Sequence, residues 1–150
     1  MSEASHCLID SNVLIYMHDD KRASHQKQAV DIYRRLVESN RSVLSTQCLV
    51  EFFNAVTRKL RDPLSIAEAV RRLNQIADTA VVYPVTLDIV KDAAIAAEMY
   101  QMSIWDAQIW AVAFRNGVPI VVTEDMQSQP IIAGVRYINP FDPAFDIQSL

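Results

Sequence analysis

Residues 120–125 have the sequence I-V-V-T-E-D, in which an unbroken run of β-branched residues is followed by a threonine and two acids. A continuous apolar run of this kind is typical of a strand that is covered on both faces, as in a parallel sheet. Similar short runs predict four further strands: C-L-I at 7–9, S-V-L at 42–44, V-V-Y at 81–83 and V-R-Y-I at 135–138.

Between these runs, apolar residues repeat every three or four positions, which predicts amphipathic helices. Helices are expected over 24–39, 46–60, 65–78, 86–101 and 104–116. Strands that alternate with helices indicate an α/β three-layer sandwich, in which helices flank a parallel central sheet of about four or five strands. No repeat or low-complexity stretch divides the chain, so a single domain over residues 1–150 is expected.

The composition indicates a globular protein, because 51% of its 150 residues are hydrophobic and 21% are charged. Cys7 and Cys48 lack the spacing of a metal or redox motif, so we expect buried free thiols in a reducing compartment. No apolar run reaches the roughly 18 residues of a membrane span, and the first residues lack a signal-peptide pattern. A cytoplasmic protein is therefore expected, with residues 139–150 forming a tail on its surface.

The net charge of −4 disfavours a nucleic-acid partner, since most proteins that bind nucleic acids are basic. If four acids bind metal, however, the rest of the chain is neutral, and local clusters of cations can still contact phosphates. The cluster of Arg58, Lys59 and Arg61 is a candidate for RNA contact. Its ordinary alternative is a solvated helix face.

The chain has only two glycines, Gly117 and Gly134. This excludes the glycine-rich turns with which dinucleotide-binding proteins and P-loop proteins hold phosphate. An α/β protein that handles phosphate without such a turn needs another device, and a metal ion is the obvious one.

Four acids fall where a parallel sheet gathers its functional groups, beyond the carboxyl ends of the strands. Asp10 follows the first strand and Asp125 follows the strand 120–122, while Glu51 and Asp106 lie early in two helices. The three aspartates each have an ordinary alternative as a helix cap. Asp10 can cap a helix that begins at Ser11 or Asn12, Asp125 can cap whatever follows it, and Asp106 fits a capping box with Ser103.

Glu51 is flanked in sequence by apolar residues, namely Leu49, Val50, Phe52 and Phe53. A buried carboxylate without a partner is driven to its neutral form, and a divalent cation removes that penalty. The ordinary alternative is an ion pair with Arg58.

Oxygen ligands without cysteine or histidine favour Mg²⁺ or Mn²⁺. Such an ion can activate a water for attack on a phosphodiester and stabilise the leaving oxygen. Short polar residues beside the acids are expected to orient the ligands, namely Ser11, Asn12 and Thr123. Glu124 adjoins Asp125 and is a candidate to share or replace its role. The three histidines are expected on the surface or in loops.

Taken in order, these segments resemble the PIN-domain ribonucleases, in particular the VapC-like toxins of toxin–antitoxin pairs. The resemblance runs from about Leu8 to Phe141. It is carried by L-I-D-S-N-V-L-I-Y at 8–16, L-V-E-F-F-N at 49–54, W-D-A-Q-I-W-A-V-A at 105–113, V-V-T-E-D at 121–125 and I-N-P-F at 138–141. It implies that the catalytic and metal-binding acids are Asp10, Glu51, Asp106 and Asp125.

The resemblance also implies RNA cleavage that depends on Mg²⁺ or Mn²⁺, a homodimer, and a small antitoxin whose basic tail enters the acidic groove. The antitoxin of such a pair usually binds promoter DNA. Trp105 stands directly before Asp106, at a position where the family often has a smaller or tyrosine-like residue. With Gln108 nearby, Trp105 is expected to reshape the groove without removing a ligand.

Two rival functions fit the sequence less well. A phosphatase with an aspartyl nucleophile typically has Asp-x-Asp after the first strand, and Asn12 stands at the third position here. A PIN-like binding or scaffold protein without catalysis is the second rival, and the presence of all four acids argues against it.

Overall fold

The computed structural model describes residues 4–127 and 129–150. The strands are β1 (Cys7–Ile9), β2 (Ser42–Ser45), β3 (Val81–Tyr83), β4 (Ile120–Val122), β5 (Ile131–Ile132) and β6 (Val135–Ile138). The helices are α1 (Ser11–Tyr16), α2 (Ala23–Glu38), α3 (Thr46–Arg58), α4 (Ile66–Asp78), α5 (Leu87–Tyr100) and α6 (Ile104–Arg115), and a 3₁₀ turn follows at Ile147–Ser149.

The strands form one sheet in the order β3-β2-β1-β4-β6-β5. All neighbours are parallel except β5 and β6, which form an antiparallel hairpin. Helices form the crossovers from β1 to β2, from β2 to β3 and from β3 to β4, whereas β5 lies between β4 and β6 in the chain. The predicted mostly parallel α/β architecture is confirmed.

Side chains of successive strand residues point to opposite faces of the sheet, so each strand contributes to two cores. Leu8 and Val121 pack with α5 and α6 on one face, in a buried cluster that includes Ala93 and Trp110. Ile9 and Val122 pack on the other face with residues of α1, α2, α3 and α4. Helices therefore cover both faces, which gives the three layers expected from the sequence.

Of two short elements, β5 was not among the predicted strands, and α1 was expected only as the helix that Asp10 would cap. β5 has two residues and depends on a turn at Ala133 and Gly134, whose φ angles are +47° and +85°. α1 has six residues, which are too few to show a helical period. The sheet therefore has six strands where four or five were expected.

The segment 139–150 packs more closely than a surface tail. Pro140 is buried, and Phe141, Phe145 and Leu150 are half-buried against the core of the α1–α4 face. The Arg35 guanidinium also donates to the Leu150 carbonyl. Burial of these aromatic side chains holds the segment on the body of the protein.

Cys7 and Cys48 are both buried and free, as predicted. Burial raises the pKa of the Cys7 thiol to about 11 and also raises the pKa of Cys48, so both thiols are unreactive. Within the described ranges, none of the helices has the length and apolar character that a membrane span requires.

Candidate active site

The carboxyl ends of β1 and β4 bring the first two site residues together. Ile9 is paired in register with Val122, and the Asp10 amide donates to the Val122 carbonyl at 3.0 Å. The next residues, Asp10 and Thr123, are therefore neighbours, and the Thr123 hydroxyl donates to Asp10 Oδ2 at 2.8 Å. The parallel pairing of two strands thus joins residues that lie 113 positions apart.

Asp10 is a buried carboxylate that also caps α1. Its side chain is 7% exposed, and its Oδ1 accepts the Ser11 amide hydrogen at 2.7 Å. Burial raises the pKa of Asp10 to about 6, although the bonds from Thr123 and Ser11 lower it. The negative charges of Glu51 and Asp125 also raise the pKa of Asp10, so both acids lie within electrostatic reach of it. The capping role and a role as a metal ligand are compatible, because the cap uses one of the two carboxylate oxygens.

Glu51 is linked to Asp10 through Ser11. The Ser11 hydroxyl donates to Glu51 Oε2 at 2.6 Å and lies 3.5 Å from Asp10 Oδ1. The other oxygen, Glu51 Oε1, accepts from Gln47 Nε2 at 2.7 Å. Among the described residues, no ion pair joins Glu51 to Arg58, so the ordinary alternative for Glu51 is wrong.

Asn12 and Thr123 connect Asp125 to the same cluster. Asn12 Nδ2 donates to Thr123 Oγ1 at 3.0 Å and lies 3.4 Å from Asp125 Oδ2. The Asp125 amide donates to Thr123 Oγ1 at 3.0 Å. Asp125 is exposed, and the next regular element after it is a strand, so Asp125 caps no helix.

Asp106 lies in the first turn of α6, where the Ser103 hydroxyl accepts its amide hydrogen at 3.1 Å. This is one half of a capping box. In the described part of the chain the Asp106 carboxylate forms no hydrogen bond, so the reciprocal half is not made. Burial is the largest cause that raises the pKa of Tyr137, and the negative charges of Asp106 and Asp10 raise it further. Asp10 and Asp106 are therefore both in electrostatic reach of one buried hydroxyl.

The Glu124 carboxylate has partners of its own. Glu124 Oε2 accepts from the Tyr16 hydroxyl at 2.5 Å, and Glu124 Oε1 lies 3.7 Å from His25 Nε2. The Arg22 guanidinium donates to the Tyr16 oxygen at 3.0 Å, and His25 stacks on Phe141 with 4.9 Å between ring centroids. Glu124 thus connects the loop after β4 to α1 and α2, and His25 is a helix residue rather than a loop residue.

Sequence reasoning missed the role of Gln47. It lies one helical turn before Glu51, at the i,i+4 spacing that puts two side chains on one face of α3. Gln47 Oε1 accepts from Gln108 Nε2 at 2.9 Å, so the amide pair joins α3 to α6. The spacing of Gln47 and Glu51 was the available signal.

The three candidate cations lie apart. Lys59 borders a groove of about 600 Å³ that Ser11 and Glu51 also line. Arg58 lines a separate hollow between α3 and α4 with Phe53 and Leu73. Arg61 is exposed in the segment after α3. Of the three, Lys59 is the one that lines a groove with a site acid, Glu51.

The residues of this cluster suit a hard divalent ion in their chemistry. Over residues 4–127 and 129–150, no three His, Cys, Asp or Glu side chains are close enough to hold an ion together as they stand. Mg²⁺ needs only one or two carboxylates, because it keeps several of its waters. The Tyr137 hydroxyl is buried and lacks a hydrogen-bond partner among the described residues. This unpartnered hydroxyl and the carboxylates of Asp10 and Glu51, which Ser11 links, fit a hydrated cation in their chemistry.

Several solved structures share this fold. A toxin–antitoxin complex from Klebsiella pneumoniae is 18% identical and aligns over 90% of this chain and 98% of its own, with a TM-score of 0.65. DNA-bound VapBC from Salmonella typhimurium is 16% identical and aligns over 91% of this chain and 99% of its own, with a TM-score of 0.66. VapC20 from Mycobacterium tuberculosis, a sarcin–ricin loop cleaving toxin, is 19% identical and aligns over 77% of this chain and 86% of its own, with a TM-score of 0.56.

At these identities the structural likeness establishes the fold, and the expected similarity to VapC-like toxins is confirmed at that level. No curated protein matches the sequence. The model of the PIN domain family matches residues 7–129, a range that contains all four acids. This chain belongs to the PIN domain family.

Proposed function

We propose that this protein is an endoribonuclease that depends on Mg²⁺ or Mn²⁺ and acts as the toxin of a toxin–antitoxin pair. The observation that carries the proposal is the buried Asp10 carboxylate, which Ser11 connects to Glu51 and which Thr123 and Asn12 connect to Asp125. The structural relative described as a sarcin–ricin loop cleaving toxin supports RNA as the substrate.

In this proposal the metal ligands are Asp10, Glu51, Asp106 and Asp125. A bound Mg²⁺ or Mn²⁺ supplies an activated water and charge stabilisation for hydrolysis of a phosphodiester. Ser11 and Thr123 orient the carboxylates of Glu51 and Asp10 through the hydrogen bonds described above. Asn12 positions Asp125, and Glu124 fixes the loop through Tyr16 rather than replacing Asp125.

The groove beside the acids gives the RNA strand a path. Lys59 lies along it and can contact a phosphate next to the one that is cleaved. Arg58 and Arg61 are exposed beyond the groove and would contact more distant phosphates. The few cations limit the electrostatic contribution of the protein's own side chains to binding, and an ion held by the four acids would supply further attraction for the strand.

The decisive test is cleavage of a broad RNA panel by purified protein in Mg²⁺ and Mn²⁺. We expect cleavage that a chelator abolishes and that Asp10→Asn or Asp106→Asn reduces more than about 100-fold, because each removes a charged ligand. Asp88→Asn is the matched control for Asp106→Asn, since Asp88 is also an acid in a first helical turn but is exposed and lies outside the cluster.

Two results would decide against the proposal. Activity that survives Asp10→Asn or Asp106→Asn in pure protein would rule out this mechanism. Absence of cleavage by wild-type protein in Mn²⁺, over the whole panel, would favour the catalytically silent scaffold.

The proposal includes a small antitoxin and a homodimer, and we place the pair in the cytoplasm. Exposed apolar residues on α5 and α6 support a dimer, because Ile95, Met99 and Phe114 line one hollow with Trp110. The antitoxin would insert a basic tail into the acidic groove and bind promoter DNA. The partner is checked by co-expression with the product of a short neighbouring reading frame, which should co-purify with this chain and inhibit its cleavage of RNA.

A further inference from the structure

Trp105 is a large aromatic side chain that the fold leaves uncovered beside the acids. It is the second residue of α6, directly before Asp106, and 64% of its surface is exposed. Within the described ranges, no aromatic ring stacks against it. The other tryptophan, Trp110, is 6% exposed and donates its indole hydrogen to the Ile132 carbonyl. Packing accounts for Trp110 but leaves Trp105 without a structural role.

The backbone of Trp105 is fixed to the site. Its carbonyl accepts from Gln47 Nε2 at 3.2 Å, and the same nitrogen donates to Glu51 Oε1 at 2.7 Å. Gln108 holds the other end of the Gln47 amide at 2.9 Å. The position of the indole is therefore coupled to that of the Glu51 carboxylate.

The indole borders two hollows, and Glu51 lines both. The larger, of about 600 Å³, includes Ser11 and Lys59. The smaller, of about 260 Å³, includes Gln47 and Gln108. A polymer chain that reaches the carboxylates from either hollow therefore passes the ring.

We propose that Trp105 is a stacking platform for an unpaired base of the RNA strand, next to the phosphate that is cleaved. The inference rests on the proposed function and specifies its substrate as RNA with unpaired bases. Unpaired bases expose both faces to aromatic side chains, whereas bases within a duplex are already stacked.

The position of the ring favours a strand of the proposed RNA substrate as its occupant. The two hollows have mixed polar and apolar linings, in which Lys59 of the larger hollow can meet a phosphate and Gln108 of the smaller can meet the edge of a base. The ring lines both hollows together with Glu51, a proposed metal ligand, so an occupant that reaches that carboxylate lies beside the ring. Stacking on aromatic rings accepts every base, so Trp105 would select for strandedness more than for sequence.

The test is a fluorescence titration in Ca²⁺, which also takes oxygen ligands, with gels to verify that the oligonucleotide stays intact. A single-stranded oligoribonucleotide should quench the tryptophan emission, because the only other tryptophan is buried. The same sequence in a duplex should bind at least about fivefold more weakly. Trp105→Ala should weaken binding of the single strand about tenfold, as expected for the loss of one stacked base.

Trp105→Phe and Trp105→Tyr should retain most of the affinity, which guards against a variant that merely disturbs α6. Affinity for these variants and for Trp105→Ala is measured by fluorescence anisotropy of labelled RNA. Leu87→Ala is the matched control, since it removes another exposed apolar side chain near a helix start without touching either hollow. In Mn²⁺, Trp105→Ala should raise KM about tenfold and change kcat less than threefold.

Equal affinity of wild type and Trp105→Ala for the single strand would overturn the inference. So would equal affinity for single strand and duplex, or a tryptophan that responds to the protein partner but not to RNA. RNA binding that depends on Trp105, without any cleavage in Mn²⁺, would refute the nuclease proposal while upholding this site. Cleavage that is unaffected by Trp105→Ala would uphold the nuclease proposal and refute the stacking site.

Discussion

Asp10 is a residue at which local stability and the proposed chemistry conflict. Its carboxylate is buried, and the charges of Glu51 and Asp125 repel it, so its pKa rises from 3.8 to about 6. A carboxylate whose pKa is higher in the folded state binds a proton more tightly there. Metal-free stability therefore falls as pH rises from about 4 to about 6 and remains reduced above that range.

We expect Asp10→Asn to stabilise the metal-free protein at pH 7.5 by up to about 3 kcal/mol, the cost of holding this charge in the folded state. Chemical denaturation in a chelator measures the free energy of unfolding of both proteins. The difference should shrink at pH 4, where the wild-type side chain is protonated. Asp88→Asn should show no such gain, and an Asp10→Asn variant that is less stable than wild type at pH 7.5 would contradict the interpretation.

At the residue scale, the meeting of two of the proposed site acids was predictable, but their hydrogen-bond partners were not. Asp10 and Asp125 follow strands whose ends must meet in a parallel sheet, so their proximity was predictable. The contact of Tyr16 with Glu124 spans 108 positions and depends on where α1 points, which no local pattern encodes. The contact of Gln47 with Glu51 was predictable from their spacing, whereas Trp105 stands out in the sequence only as a departure from the family's pattern.

At the scale of elements, the contact between α1 and the loop after β4 has a testable role. The Tyr16 hydroxyl binds Glu124, and the neighbouring residue of that loop is Asp125. Burial, and next the hydrogen bond to Glu124, raise the pKa of Tyr16, so the hydroxyl remains a donor across the neutral range. The bond therefore restrains the loop that carries one proposed ligand.

We expect Tyr16→Phe to increase amide hydrogen exchange in residues 123–127 and to weaken Mn²⁺ binding several-fold, because the loop loses its restraint. Hydrogen–deuterium exchange and a Mn²⁺ titration measure the two effects. Tyr33→Phe is the matched control, since the Tyr33 hydroxyl also binds a side chain, that of Thr79, away from the acids. Unchanged exchange at 123–127 in Tyr16→Phe would show that the contact does not position the loop.

The long elements were predictable because their patterns are regular. Five apolar runs gave five strands, and the periodic segments gave α2, α3, α4, α5 and α6 with ends within about two residues. The short elements were not predictable from the periodic spacing of apolar residues. β5 exists because Ala133 and Gly134 turn the chain back onto β6, and α1 because Asp10 caps it.

At the scale of the whole molecule, two surfaces of the layered fold differ in character. The carboxyl ends of β1 and β4 bring Asp10 together with Thr123 and Asp125, while the outer face of α5 and α6 carries exposed apolar residues. On the proposed function, part of the net charge of −4 belongs to a site that a cation would neutralise. A global charge count could not reveal this, because the four proposed ligands come from four separate segments.

The central claim is that these four acids hold one metal site, and anomalous diffraction from Mn²⁺-soaked crystals tests it most directly. We predict an anomalous peak among the carboxylates of Asp10, Asp106 and Asp125, with Glu51 bound directly or through water, and no peak there in Asp10→Asn crystals. A peak elsewhere on the molecule, or none at Mn²⁺ concentrations that support cleavage, would contradict the claim.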